Sequence, residues 1–564
     1  MTTITQNPHI LQDLLAEISP GDLKGLRVAF INMPLRENAQ PNTPPQGPAL
    51  MASRLRVYGA EVSIIDLNAY RIKDEMAKAN GKMPIGRHLT PAEVQALLQA
   101  HFLKYGEPDL IGISGMITTL RWQEMVTQMC RDILPDAFIV SGGGLATEIK
   151  GGLFQWIPEL DAVAHSEGDD IILVIARHIK TGKDRERKKR WDILSSSPYN
   201  AGQVNGRSRY LFGGDRPRHL DELPFAAWDL LEEDVYGNNL LEQYIATPVW
   251  GGTANNSSAA PFEMKRSLTT VSSRGCPYEC AFCYRGAQGE RLYGMRSAEN
   301  LAKEIQWLTS TYSLDFVGFP DDNFAVDRKR IAQLPAAFQK FGIRWGTHTR
   351  LDEADERLVD MAKSGCIYIG FGAESASPVV LDRMDKGGFI LRRGVTRING
   401  FDFPLTMVDG IKKCREVGIH ANCTWIMGYP GETLKDLQTS IAFILWQKEL
   451  YTAGIPQGTA EYTRAVESVN QKMFTATAYP GTAMFKEPSV VKHLSDSFGI
   501  QFDAENNPVM DQNFKNYVLE LDDATKILKN DEGKALNFGD MPTELFVEAR
   551  KLIDQNKFEE ILEM

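Results

Sequence analysis

Twice along this 564-residue chain, short apolar runs alternate with helix-like stretches. That alternation restricts the fold to α/β architectures built on parallel strands. The first series contains the runs Leu26–Ile31, Val62–Leu67, Leu110–Ser114 and Ala137–Val140, with helical stretches such as Pro48–Tyr58 and Trp122–Ile133 between them. It predicts a doubly wound sheet, in which ligands bind beyond the carboxyl ends of the strands. Small residues gather at those ends: Ser114-Gly115 and Ser141-Gly142-Gly143-Gly144.

The second series runs from Leu268 to about Thr482. Its strand candidates are Leu268–Ser272, Phe316–Phe319, Ile343–Thr347, Ile367–Phe371, Ala421–Met427 and Lys472–Thr477, with helical stretches such as Ala298–Ser310 and Asp352–Ser364. About six β/α units predict a partial (β/α)6 barrel, with its chemistry at the carboxyl ends of the strands. The expected organisation is an extension over 1–22, a doubly wound domain over 23–185, a linker over 186–262, the barrel over 263–484 and a small, mostly helical region over 485–564. The linker reading rests on KDRERKKR and GGTANNSSAAP, which are charged, polar or small. A helix is expected over 543–561.

A formal net charge of −11 argues against nucleic acid as a partner. The N-terminal stretch lacks the basic start and apolar core of a signal peptide, and no apolar run is long enough to span a bilayer. The expected location is the cytoplasm. Of seven cysteines, three lie within eight residues, which in a reducing compartment points to metal or redox chemistry.

Those three stand in SSRGCPYECAFCYRG, residues 272–286, directly after a strand: Cys276, Cys280 and Cys283, spaced C-x3-C-x2-C. Three thiolates on one loop can ligate three irons of a 4Fe–4S cubane, leaving the fourth iron open to a small molecule. Structural zinc wants four ligands, usually as two C-x2-C pairs, and Cys130, Cys366, Cys414 and Cys423 form no such pair.

The motif, with Phe282 before its last cysteine, resembles the radical S-adenosylmethionine (SAM) superfamily. The resemblance implies that the amine and carboxylate of SAM chelate the open iron, and that one electron from the cluster cleaves the sulfonium to a 5′-deoxyadenosyl radical. Other segments match the family in order. Asp321, Asp322 and Asn323 close a strand where the family binds the amine; the alternative is an Asp-rich turn that caps the next helix. Arg350 ends a later strand and is expected to pair with the carboxylate. His348, beside it, reads as structural. Residues 369–375 resemble the family's G-x-E-S strand, so Glu374 and Ser375 are expected at the ribose or carboxylate. Residues 425–432 resemble its G-x-P-G-E turn, where Met427 and Gly428 are expected against the adenine; Met427 alone reads as core.

A flavodoxin-like domain before such a barrel resembles the cobalamin-binding members of the superfamily. Cobalamin contacts are implied at Ser114, Gly115, Thr118, Gly142, Gly143, Gly144 and Glu167. The Asp-x-His-x-x-Gly signature for a histidine on cobalt is absent, so the corrin is expected to be held by shape and backbone. A clean G-x-G-x-x-G after the first strand is also absent, which lowers the dinucleotide option. The implied cofactors are a 4Fe–4S cluster, SAM and cobalamin. The implied activity is methylation of an unactivated carbon in a small-molecule or peptide substrate, by way of methylcobalamin and the 5′-deoxyadenosyl radical. A flavodoxin or ferredoxin is expected as the one-electron donor. Three alternatives stand beside this reading: a radical cyclase like the anaerobic magnesium-protoporphyrin cyclase, a methylthiotransferase, and a non-catalytic iron–sulfur or zinc protein. The methylthiotransferase needs three cysteines in the N-terminal domain, where only Cys130 lies.

Overall fold

A computed structural model describes residues 8–35, 43–83, 85–183, 199–204, 207–246, 264–284, 293–469, 472–521, 526–530 and 532–564. The chain divides into two compact units, one of residues 1–244 with 286–294 and one of 245–285 with 295–564. Both charged and small-residue stretches used to predict the linker, KDRERKKR and GGTANNSSAAP, lie outside the described residues except for Lys183.

The first unit is built on β1 (Arg27–Asn32), β2 (Glu61–Asp66), β3 (Leu110–Ser114), β4 (Phe138–Gly142), β5 (Ala162–His165), β6 (Asn200–Val204) and β7 (Arg207–Gly213), in the spatial order β2-β1-β3-β4-β5-β7-β6. All neighbours are parallel except β6 and β7. The 2-1-3-4-5 order is that of flavodoxin-like sheets, which bind ligands where the order reverses, between β1 and β3. Five of six residues in β1 and four of five in β3 are buried, as expected for strands covered by helices on both faces. One expectation is corrected here. Asn200–Val204 and Arg207–Gly213, within the span expected as linker, are strands, and β7 extends the sheet beside β5. Tyr210 and Phe212 point into the core while buried Arg209 donates to the Pro158 carbonyl at 2.7 Å. The charged residues of RSRYLFG hide this strand from a reading of apolar runs.

The second unit begins with β8 (Ser267–Thr269) and β9 (Ser273–Gly275); the short strand β10 (Tyr293–Met295) straddles the division at residue 294. The unit continues with β11 (Phe316–Phe319), β12 (Arg344–Arg350), β13 (Cys366–Glu374), the hairpin β14 (Val395–Ile398) and β15 (Phe401–Pro404), β16 (His420–Met427) and β17 (Lys472–Thr475). Six of these form one parallel sheet, ordered β17-β16-β13-β12-β11-β8, which is the open barrel expected. Its core is aromatic: Phe319, Phe324, Phe338 and Trp345 meet at ring separations of 5.1–6.3 Å. The hairpin turns at Asn399-Gly400, both at positive φ, as a two-residue Asn-Gly turn requires. The helix expected over 543–561 is two helices, Thr543–Asp554 and Phe558–Leu562, broken where Asn556 adopts a φ of 56°. Among the described residues no helix is long and apolar enough to cross a membrane.

Candidate functional site

The thiols sit on the segment that follows β9. Cys276 is half-buried, Cys280 buried and Cys283 exposed. Burial raises the thiol pKa of Cys276. The other four cysteines are all buried. Among the described residues, no three His, Cys, Asp or Glu side chains gather as a single-ion site. Phe282 is half-buried, with the Lys386 ammonium 5.8 Å from its ring.

Two carboxylates from the end of β11 fix the entry to this loop. Asp321 is buried and accepts from the Ser272 amide at 2.8 Å, the Ser273 hydroxyl at 2.5 Å and the Ser272 hydroxyl. Asp322 is exposed and accepts from the Gly275 amide at 3.1 Å. Neither caps the next helix, Arg328–Phe338, whose N-cap is Asp327. Asp321 therefore shapes the polypeptide ahead of Cys276, and Asp322 is the one of the pair that stands in the open.

A third carboxylate holds the loop farther along. Glu353 accepts from Tyr278 Oη at 3.1 Å, Asn323 Nδ2 at 3.3 Å and Thr349 Oγ1 at 2.6 Å. Asn323, wholly buried, shares that Thr349 hydroxyl proton through an oxygen 2.6 Å away, and its Nδ2 reaches Cys276 Sγ at 3.8 Å. Arg350, at the end of β12, is buried as well. Its Nη1 donates to Cys280 Sγ at 3.1 Å, its Nε and Nη2 grip Asp352 at 2.9 and 3.2 Å, and its Cζ lies 4.0 Å from the centre of the Tyr278 ring. Arg350 is thus turned to a thiol and to Asp352.

Farther along the sheet, β13 ends in Glu374 at a φ of 63°, buried, where the register with β16 slips. A non-glycine residue held there carries roughly 1–3 kcal/mol of strain. Lys386 Nζ lies 3.3 Å from the carboxylate. Burial raises the Glu374 pKa, and the lysine opposes that shift. Ser375 is buried and engaged with Ser440 and the Ser377 amide, so it organises the turn after β13. Met427 ends β16 as wholly buried core. Gly428 follows at a φ of 77°, and its amide donates to Glu432 at 2.5 Å. His348 is half-buried, and desolvation lowers its pKa to about 4.

In the first unit, the small residues at the ends of β3 and β4 come together. Ser114 ends β3, and its carbonyl accepts from the Met33 amide after β1 at 3.1 Å. A side chain at Gly143 would stand 2.7 Å from the Gly115 carbonyl oxygen, and one at Gly144 would stand 3.5 Å from the Met116 Cα. Gly143 is exposed at a φ of 87°, where it caps the helix Gly144–Ile149. Gly142 is half-exposed, with open space around it except for the Ala164 carbonyl at 3.9 Å. Half-buried Thr118 lies in the 3-10 turn Ile117–Thr119. The result is a shelf of bare backbone at the sheet's ligand-binding end. Glu167 is turned instead to buried Arg216, at 3.1 Å.

Sequence reasoning did not find Tyr278, Asp352, Glu353 and Lys386. Tyr278 lies within the cysteine motif and Asp352-Glu353 directly follow Arg350, so position alone was their only signal. The donor set suits an iron–sulfur cubane: three thiols on one loop, with hydrogen-bond donors aimed at two of the sulfurs. The glycine shelf suits a large planar ligand held through backbone.

Residues 270–444 match the radical SAM superfamily. An uncharacterized methyltransferase of Pyrococcus horikoshii is 25% identical over 393 residues, 69% of this chain and 71% of its own. The cytidylyl-2-hydroxyethylphosphonate methyltransferase of Streptomyces wedmorensis is 25% identical over 430 residues, 71% and 72% of the two chains. Among solved structures, the radical SAM methyltransferase TsrM of Kitasatospora setae, with cobalamin and a [4Fe–4S] cluster bound, superposes with a TM-score of 0.57 at 14% identity, over 94% of this chain and 90% of that one. Residues 270–444 are therefore a radical SAM domain, carried on a chain whose fold is that of TsrM.

Proposed function

We propose that this enzyme methylates an unactivated carbon of a small-molecule or peptide substrate, using a 4Fe–4S cluster, SAM and cobalamin. The observation that carries the reading is the loop bearing Cys276, Cys280 and Cys283, anchored by protein side chains at the carboxyl end of a parallel sheet. When bound, the cluster supplies the electron that cleaves the SAM sulfonium, and cobalamin supplies a carrier for the methyl group.

The chain's own residues then have distinct tasks. The three cysteines hold iron. Asp322, in the open at the end of β11, pairs with the amine of SAM. Glu374 and Lys386, after β13, present one charge of each sign to its polar groups. Gly428 offers backbone to adenine, and wholly buried Met427 fixes the strand end that carries it. Asp321, Asn323, Arg350 and Ser375 hold these groups in place. In the first unit, Ser114, Gly115, Thr118 and Gly142–Gly144 offer the shelf for the corrin, and the Glu167–Arg216 pair steadies its margin. An external flavodoxin or ferredoxin delivers the electron in the cytoplasm.

The test is anaerobic reconstitution with iron, sulfide and cobalamin, followed by turnover of candidate substrates with methyl-labelled SAM. The reading expects label in the product and 5′-deoxyadenosine beside it. Deoxyadenosine with an unlabelled, cyclised product would replace methyl transfer with radical cyclisation.

A further inference from the structure

We infer that Arg350 hydrogen-bonds the Cys280 sulfur of the cluster and thereby sets the cluster's reduction potential, instead of holding the SAM carboxylate. The inference rests on the proposed function, because it needs the cluster on these cysteines.

The geometry leaves the guanidinium little room for another task. Its Nε and Nη2 are fixed by Asp352, Nη2 also reaches the Lys386 carbonyl at 3.4 Å, and Nη1 points at Cys280 Sγ. One face lies on the Tyr278 ring. Arg350, Asp352 and Cys280 are all at least nine-tenths buried, so water does not screen the contact. The planar fork explains the choice of arginine, since one rigid group serves a carboxylate and a sulfur in different directions.

The chemistry follows from charge. Reduction adds one electron to the cluster, and part of that charge falls on its sulfurs. A donor fixed on one sulfur stabilises the reduced state more than the oxidised state, which raises the potential. The charge of Arg350 is balanced by Asp352, so the effect is that of a directed hydrogen bond rather than of net charge. Lys386, just ahead of the short helix Gly387–Ile390, pairs with Glu374 at the end of β13 and does not duplicate it.

The experiment compares full-length native protein, Arg350→Gln and Arg350→Lys, each reconstituted anaerobically and checked for iron per chain. An electron paramagnetic resonance titration against potential gives the midpoint, and isothermal titration gives the Kd for SAM. For Arg350→Gln we expect a tenfold fall in the reduced-to-oxidised ratio at fixed potential, about 59 mV for one electron, with SAM affinity within twofold of native. Lysine cannot serve Asp352 and Cys280 together, so Arg350→Lys also lowers the midpoint; it decides the question alone if the glutamine protein fails to retain iron. A native midpoint in a fully loaded variant overturns the inference while leaving the functional reading intact, and so does a tenfold loss of SAM affinity without a shift in potential. Native protein that takes up no cluster overturns both.

Discussion

The Phe546 ring occupies the place a side chain at Gly428 would need: a Cβ there would lie 2.5 Å from Phe546 Cε2. The turn after β16 is thus held from the C-terminal helix Thr543–Asp554, and the Glu432 carbonyl accepts from the Asp540 and Met541 amides at 2.9 and 3.2 Å. Gly428→Ala forces a side chain onto both a positive φ and a filled space. It should destabilise the protein by about 1–3 kcal/mol and weaken SAM binding. Phe546→Ala should cost about 3–5 kcal/mol through the cavity it leaves. Denaturant melts and titration with SAM measure both.

Glu353 joins Tyr278, Asn323 and Thr349 in one buried cluster, so Glu353→Leu strands their polar groups. A loss of about 1–3 kcal/mol per stranded group is expected, with incomplete iron incorporation and unchanged secondary structure by circular dichroism. Full iron loading at native stability would show that the loop does not depend on this carboxylate.

Cys280→Ala should abolish both iron binding and 5′-deoxyadenosine formation. Cys414→Ala, a buried cysteine on the helix Leu405–Val417, should retain both at some cost in stability. Iron analysis and product chromatography distinguish the two.

Glu432 is buried, one of its oxygens has no hydrogen-bond partner among the described residues, and burial pushes its pKa up to about 8. The folded state therefore holds a proton that the unfolded chain releases above about 4.5. Stability from this group is full below that value, declines as pH rises toward 8, and levels off above it. Glu432→Gln mimics the protonated form. Unfolding measured at pH 5 and pH 8 should show a smaller loss of stability in the variant than in the native protein; an equal loss refutes the assignment.

Gly143→Val places a branched side chain at a φ of 87° against the Gly115 carbonyl. Reduced cobalamin retention is expected, read from absorbance after gel filtration, while the iron content stays native. Unaltered retention argues against the glycine shelf as the corrin surface.

Much of this was legible because strands buried on both faces read as unbroken apolar runs, as in LIGIS and FVGF. The three thiols were legible because they are local. β7 was not, since its register places Arg207 and Arg209 within the strand, and buried Arg209 finds a carbonyl rather than solvent. Nor was the shell around the thiols. Arg350 lies 70 residues from Cys280, Glu353 lies 75 from Tyr278, and Lys386 lies 12 from Glu374. Only the parallel sheet brings such pairs together. The same distance explains why Asp321 and Arg350 read as cofactor ligands, whereas the fold turns them inward to a serine pair and a sulfur.

The hydrogen bonds from Ser272 and Ser273 to Asp321, and from Tyr278 to Glu353, tie down the cysteine segment with protein groups alone. In a zinc finger the metal holds the loop; here protein side chains share that task. Removing Asp321 or Glu353 should therefore loosen the cysteine segment, read as faster hydrogen exchange over residues 272–283.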